Sequence, residues 1–165
     1  SLYIEDCPNI DPGYGFSVDG LKLESLTFNR CLEGHGQHFF GNNYYSNNSK
    51  ITDIKKILVE NVNNLGRVFF EHVKSDCIEF KNCHFDDQGC SCDYQVGTLC
   101  FDNCVVPSGR LENENGNLVI KNSTVGDNWA IHGKYITISN STINGKYIGS
   151  FSGSEKDYEK LWRNH

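Results

Sequence analysis

Ile78-Glu79-Phe80-Lys81-Asn82-Cys83 is the clearest copy of a six-residue phrase on which the chain is built. The phrase reads apolar, any residue, apolar, polar or charged, Asn, and then Cys or Ser. A copy that begins at Ile57 differs only at its last residue, Val62, and two looser copies begin at Leu2 and Leu26. From Ile57 onward the copies start 21, 21, 19 and 18 residues apart. The three remaining clear copies begin at Leu99, Leu118 and Ile136.

This spacing predicts the fold class. Apolar residues at alternate positions indicate a strand with one buried face. One such strand in every repeat of about 20 residues favours a solenoid whose coils stack on one another, because the interval is too short for a repeat of two helices. We therefore expect an all-β chain with two or three short strands per coil and about seven coils, stacked about 4.8 Å apart.

The asparagine of each phrase comes where the strand should end. Asn tolerates the left-handed turn conformation better than most residues, and its amide carries both donors and an acceptor. Stacked at one turn, these side chains would form an asparagine ladder, which we expect to face inward and to be structural. The ladder residues would be Asn61, Asn82, Asn103, Asn122 and Asn140.

The phrase resembles the coil repeat of the pectin-lyase-like superfamily, whose coils commonly read like Ile-x-Ile-x-Asn-Ser-Thr-Phe. Asn82-Cys83-His84-Phe85 and Asn122-Ser123-Thr124-Val125 carry the resemblance most fully, and it covers about residues 1–150. It implies a right-handed parallel β-helix and says little about activity. We also expect residues 66–70, 109–113, 128–131 and 146–149 to form the next strand of their coils.

The length of 165 residues suggests one β-helix domain over residues 1–165. Residues 154–163 are predicted to form a capping helix, with Ser154 as N-cap and Tyr158, Leu161 and Trp162 on one face. The first strand starts almost at residue 1, so we expect its open side to be covered by a missing N-terminal segment, another domain or a neighbouring subunit.

Composition limits the function classes. The net charge of −6 argues against nucleic-acid binding, which favours a basic surface. No apolar run approaches the length of a membrane span. We read no signal peptide and no Met, so we take the chain as mature or trimmed, and we predict neither a cofactor nor a metal.

Eight cysteines in 165 residues favour an oxidising compartment, outside the cell or at a cell or virion surface. Cys83 and Cys104 share one column of the repeat and would either pack as small apolar residues or form a disulfide. The other predicted disulfide candidates surround one loop and allow two disulfides or, alternatively, a zinc site. They are Cys77, Cys90, Cys92 and Cys100.

A loop insertion at residues 33–53 is the largest departure from the repeat. Loop insertions of solenoids often bind ligands, and aromatic rings with amides suit sugars. The alternative is ordinary packing of these aromatic side chains. Asn47 begins a glycosylation pattern here, and Asn122 and Asn140 match it too but should be buried in the ladder. The candidate ligand-binding residues are His35, His38, Phe39, Phe40, Tyr44 and Tyr45.

Signs of catalysis are sparse. Glu60, Lys81, Asp102 and Lys121 should form a self-neutralised column of alternating charge. Two fragments are similar to polygalacturonases, Gly34-His35-Gly36 and Asp86-Asp87, but their order is reversed and a third motif is absent.

We therefore expect a non-catalytic extracellular domain that binds glycans or assembles into a larger particle. The alternative is a small polysaccharide lyase or glycoside hydrolase in which His35, His38, Asp86 or Asp87 would meet in one cleft.

Overall fold

The computed structural model describes residues 1–9, 21–33, 51–86, 89–126 and 128–163. Within these ranges the chain forms fourteen strands and one C-terminal helix, α1 (Glu155–Arg163). The strands are β1 (Leu2–Glu5), β2 (Lys22–Asn29), β3 (Thr52–Leu65), β4 (Val68–Phe70), β5 (Val73–Phe85), β6 (Cys90–Cys92), β7 (Gln95–Asp102), β8 (Val105–Val106), β9 (Gly109–Asn113), β10 (Asn117–Lys121), β11 (Thr124–Val125), β12 (Asn128–Gly133), β13 (Tyr135–Ile143) and β14 (Lys146–Ser154).

The copies of the phrase stack as parallel strands, in the order β1-β2-β3-β5-β7-β10-β13. Each copy is in register with the next, so that Ile57 pairs with Ile78 and Ile78 with Leu99. This confirms the predicted parallel β-solenoid. The solenoid has about five turns instead of the expected seven coils. The number is lower because, in the described residues, β1 and β2 have no partner strands on the other faces of the coil.

Each complete coil has three faces. The phrase forms the first face, a short strand after the asparagine forms the second, and β4, β6, β9 and β12 form a separate four-stranded parallel sheet as the third. The core lies between these faces and contains an aromatic stack. The rings of Phe80 and Phe101 are nearly parallel with centroids 5.3 Å apart, and Phe85 packs against both.

The asparagine ladder is present, but it faces solvent, which corrects the predicted inward direction. All five asparagines are exposed and have positive φ, between 44° and 59°. The left-handed corner interrupts the strand alternation, so the asparagine turns outward and the residue after it turns inward. Asn122 and Asn140 are therefore exposed, contrary to the expectation that ladder residues are buried.

The inward residue after each asparagine has a bonding role. The thiols of Cys31, Cys83 and Cys104 each donate to the carbonyl oxygen two residues earlier, over 3.3–3.4 Å. The hydroxyls of Ser123 and Ser141 make the same bond over 2.8 Å. Cys and Ser can replace each other in this column because both are small and both can donate to a buried corner carbonyl.

All eight cysteines are free thiols, so the structure does not support the predicted disulfides. Cys90 and Cys92 point into the core from β6. Cys77 and Cys100 lie on the outer side of the first face, since their neighbours Ile78, Leu99 and Phe101 point inward. The wall of the solenoid separates these two pairs. Among the described residues no three His, Cys, Asp or Glu side chains are grouped to hold a metal ion, which leaves the zinc alternative without support.

The C-terminal end differs from the prediction for residues 146–149. They do not continue a coil but begin β14, which runs antiparallel to β13. Asn144 and Gly145 make the tight turn, with φ of 48° and 78°, as a two-residue hairpin with a primed turn requires. Helix α1 follows directly, and Tyr158 packs its ring against Phe151, so the predicted helix does cover this end.

Candidate functional site

One row of outward side chains crosses the four-stranded sheet. Phe69, Ser91, Glu112 and His132 are paired in register across β4, β6, β9 and β12. They point outward because the residues that flank them, such as Val68 and Leu111, are fully buried. Three steps between neighbouring parallel strands make this row roughly 14 Å long.

The row forms the floor of a groove of about 360 Å³. Phe69 and His132 lie towards its two ends, and Asp93 and Glu114 contribute carboxylates along one side. Ser91 is only 6% exposed although it points outward, so it lies deep in the groove. The groove therefore offers one aromatic ring and several hydrogen-bonding groups to a ligand, and its lining is more polar than that of a typical small-molecule pocket.

A chain of polar contacts follows the row. The hydroxyl of Ser91 donates to Oε2 of Glu112 over 3.2 Å. The other oxygen, Oε1, lies 3.8 Å from Nε2 of His132 and 3.8 Å from the guanidinium of Arg110. Nδ1 of His132 lies 2.5 Å from Oε1 of Glu155. Glu112 is thus held from three sides in the middle of the groove.

The C-terminal helix takes part in this site. Glu155 is the first residue of α1, and its contact with His132 ties the helix to the end of the row. Ser154 and Asp157 form a reciprocal cap at the same helix start: the hydroxyl of Ser154 donates to Oδ2 of Asp157, and the backbone N–H of Asp157 donates to Oγ of Ser154. The fold that caps the solenoid therefore also fixes one end of the groove.

A cation–π contact lies at the Phe69 end of the groove. The guanidinium carbon of Arg67 lies 5.9 Å from the centroid of the Phe69 ring, within cation–π range. Gly89 lies between Arg67 and Arg110 in the neighbouring row of the sheet. A Cβ atom there would lie 1.9 Å from the carbonyl oxygen of Arg110, so only glycine lets the coils approach this closely.

The predicted ligand-binding residues in the insertion, His35, His38, Phe39, Phe40, Tyr44 and Tyr45, lie outside the described residues. The predicted glycosylation site Asn47 and the carboxylate Asp87 do so as well. Asp86 is described, at the end of β5, where its backbone N–H donates to the carbonyl of Leu65. The proposed cleft of His35, His38, Asp86 and Asp87 therefore stays a prediction.

The predicted charge column lies on the outer side of the first face. Glu60, Lys81, Asp102 and Lys121 stand opposite one another in successive strands. The ammonium of Lys121 lies 3.8 Å from Asp102. The register supports the interpretation of this surface as self-neutralised.

The groove residues were missed in the sequence, although part of the signal is present. Aligning Arg67 with Arg110 also aligns Phe69 with Glu112, which stand in the same row. His132 falls out of such an alignment, because the register shifts by one residue between Asn128 and Ala130. Such a bulge has no clear signature in a short strand.

The described part of the chain contains no helix that is long and apolar enough to cross a membrane. In comparisons with known proteins, the chain matches no family model, no curated protein and no solved structure.

Proposed function

We propose that this protein is a non-catalytic glycan-binding β-solenoid whose ligand lies in the groove over the four-stranded sheet. The row of Phe69, Ser91, Glu112 and His132 is the observation that supports the proposal. It places an aromatic ring, a hydroxyl, a carboxylate and an imidazole along a line of roughly 14 Å, which suits an extended chain of several sugar rings.

Phe69 provides the test. Its replacement by Ala removes the aromatic surface of the groove while the flanking core residues Val68 and Phe70 stay in place. Tyr147→Ala is the control, because Tyr147 is 64% exposed and lies at the asparagine corner, where its hydroxyl donates to Asn140. Binding would be measured on a panel of immobilised polysaccharides and then by calorimetry. We expect Phe69→Ala to weaken binding by at least about tenfold and Tyr147→Ala to leave it unchanged. Equal loss in both variants, or no glycan bound by the native protein, would contradict the proposal.

A second candidate is a glycoside hydrolase, which the arrangement of two carboxylates favours. Glu112 lies in β9 and Glu114 directly after it, and both carboxylates line the groove. Pairs of carboxyl groups about 5–9.5 Å apart serve glycosidases as acid and base or nucleophile. Release of reducing sugars by the native protein, abolished in both Glu112→Gln and Glu114→Gln, would establish this candidate instead.

We also propose that the chain is related to the pectin-lyase-like superfamily. The left-handed asparagine corner and the stacked amides support it. An extracellular or surface location fits a protein that binds glycans, but the argument for it from disulfides no longer holds.

Self-assembly is the remaining proposal. β1 is an edge strand of its sheet within the described residues, and its Tyr3 is 56% exposed. Light scattering over a range of concentrations tests this proposal, and a protein that stays monomeric at every concentration would contradict it.

A further inference from the structure

Two acidic residues, Asp93 and Glu114, are neighbours along one side of the groove. Asp93 and Glu114 each follow a paired residue of the sheet, Cys92 and Asn113, so they stand opposite each other in neighbouring coils. Like charges in directly opposite positions destabilise a sheet. The first face avoids this cost by alternating Glu, Lys, Asp and Lys, whereas the groove does not.

The cations near the groove already have partners. Arg110 lies 3.8 Å from Glu112, and His132 lies between Glu112 and Glu155. Arg67 is placed over the ring of Phe69 at the rim. Oδ1 of Asp93 accepts from the backbone N–H of His72, and Oε2 of Glu112 accepts from the hydroxyl of Ser91, but these donors are uncharged. Asp93, Glu112 and Glu114 therefore leave an excess of negative charge along the groove, and their remaining lone pairs can accept donors from a ligand.

Ionised carboxylates accept hydrogen bonds and cannot donate them. Sugar hydroxyls donate to them, and a protonated amine adds charge–charge attraction to the hydrogen bond. A uronate would bring a further carboxylate into the same groove, and the juxtaposition of like charges at an interface is a strong source of rejection.

We propose that the groove binds amine-bearing glycans, of the glucosamine type, in preference to neutral glycans and that it rejects polyuronates. This inference rests on the proposed glycan-binding function and identifies its ligand class. Shape and the Phe69 ring would serve any extended sugar chain, so the charge of Asp93, Glu112 and Glu114 sets the preference among chains of equal length.

The test compares three tetrasaccharides of equal length by calorimetry at about pH 6 and low salt. They are a glucosamine tetramer, a glucose tetramer and a galacturonate tetramer. We expect the glucosamine tetramer to bind at least about tenfold more tightly than the glucose tetramer. The galacturonate tetramer should bind at least about tenfold more weakly than the glucose tetramer. Added salt should narrow these differences, because screening weakens exposed charge interactions.

Glu114→Gln tests whether the groove carboxylates cause the preference. We expect it to lower the affinity for the glucosamine tetramer and to raise that for the galacturonate tetramer, with little change for the glucose tetramer. Glu79→Gln removes the same charge from the outer side of the first face and should change none of the three.

The outcomes separate the two proposals. If none of the tetramers binds, and no polysaccharide of the panel does either, both proposals fail. If the glucose or galacturonate tetramer binds as tightly as the glucosamine tetramer, glycan binding stands and the charge preference is overturned. Equal effects of Glu114→Gln and Glu79→Gln would also overturn it, because the effect would then come from net charge alone.

Discussion

The side-chain amide of Asn103 donates to Oδ1 of Asn82 over 2.8 Å, and both residues have φ of 53°. Asn82 in turn donates to Asn61 over 3.1 Å. The same residue type thus makes the left-handed corner and joins one coil to the next. The amides lie on the outer surface, so they join the coils without taking space from the core.

Asn82 allows the two roles to be separated. Asn82→Ala removes both ladder bonds and puts at the left-handed corner a residue that tolerates this conformation less well than Asn, so we expect it to lower the free energy of unfolding by about 2 kcal/mol. Asn82→Gly removes the same bonds but tolerates the corner, so its cost should be smaller. Urea unfolding of both variants measures the difference.

His84→Ala is the control for these variants, since His84 is an exposed residue two positions further along β5 and its replacement should stay within about 0.5 kcal/mol of the native protein. A glycine variant as unstable as the alanine variant would show that the corner conformation contributes nothing.

The inward column predicts a different response at Ser123, which is 4% exposed. Its hydroxyl donates to the carbonyl of Lys121 and accepts from the N–H of Cys104. Ser123→Ala leaves both buried groups without this partner, at a cost of about 1–3 kcal/mol. Ser123→Cys keeps a donor, as Cys104 and Cys83 do one and two coils away, and should cost less. Thr124→Ala, at an exposed position, controls for the loss of a hydroxyl. Urea unfolding curves that show Ser123→Cys to be less stable than Ser123→Ala would contradict this interpretation.

Much of the fold could be predicted because it follows from local residue patterns. Alternating apolar residues and a regular asparagine identified the seven stacked strands and their register. The direction of the ladder could not be predicted from alternation, because the left-handed corner reverses which residue points inward. The hairpin at Asn144-Gly145 was missed although this dipeptide favours such a turn. Its strand resembles a coil strand in composition.

The groove was harder to predict than the fold. Its row draws one side chain from each of four coils, at positions where the sequence pattern is weakest. The short strands β4 and β6 have only three residues each, too few for a clear alternation. The contact between His132 and Glu155 depends on where the C-terminal helix packs, which no local pattern specifies.

Thiol accessibility tests the finding that all eight cysteines are reduced. Cys7 is exposed, Cys77 is half-buried, and the other six are buried. Burial raises the pKa of the Cys100 thiol to about 12 and also raises that of Cys77 and Cys90, which lowers the reactive thiolate fraction. We expect Cys7 to react first with a thiol reagent at about pH 8, Cys77 more slowly, and the rest only on unfolding.

Mass spectrometry of the alkylated protein identifies each site. Unfolding in denaturant without reductant should expose all eight thiols, which matches the number of free cysteines in the structure. A smaller number in protein kept from oxidation after purification would mean that disulfides are present. A Cys7→Ser variant that still shows a fast-reacting thiol would contradict the predicted order.

The cap of α1 predicts a pH dependence of stability. The ammonium of Lys160 and the hydroxyl and N–H of Ser154 lower the pKa of Asp157 to about 2. The pKa of the folded state lies below the value of about 3.9 for an unfolded Asp, so the ionised carboxylate stabilises the native helix above about pH 4. That contribution should be lost as the pH falls from about 4 towards about 2. Asp157→Asn should therefore be less stable than the native protein near neutral pH, and the two should converge at low pH.

Urea unfolding of both proteins at several pH values measures this difference. Glu159→Gln removes a charge from the same helix, where Glu159 pairs with the exposed Arg163, and should show a weaker pH dependence. A constant difference between Asp157→Asn and the native protein across this range would show that the carboxylate does not act through its charge.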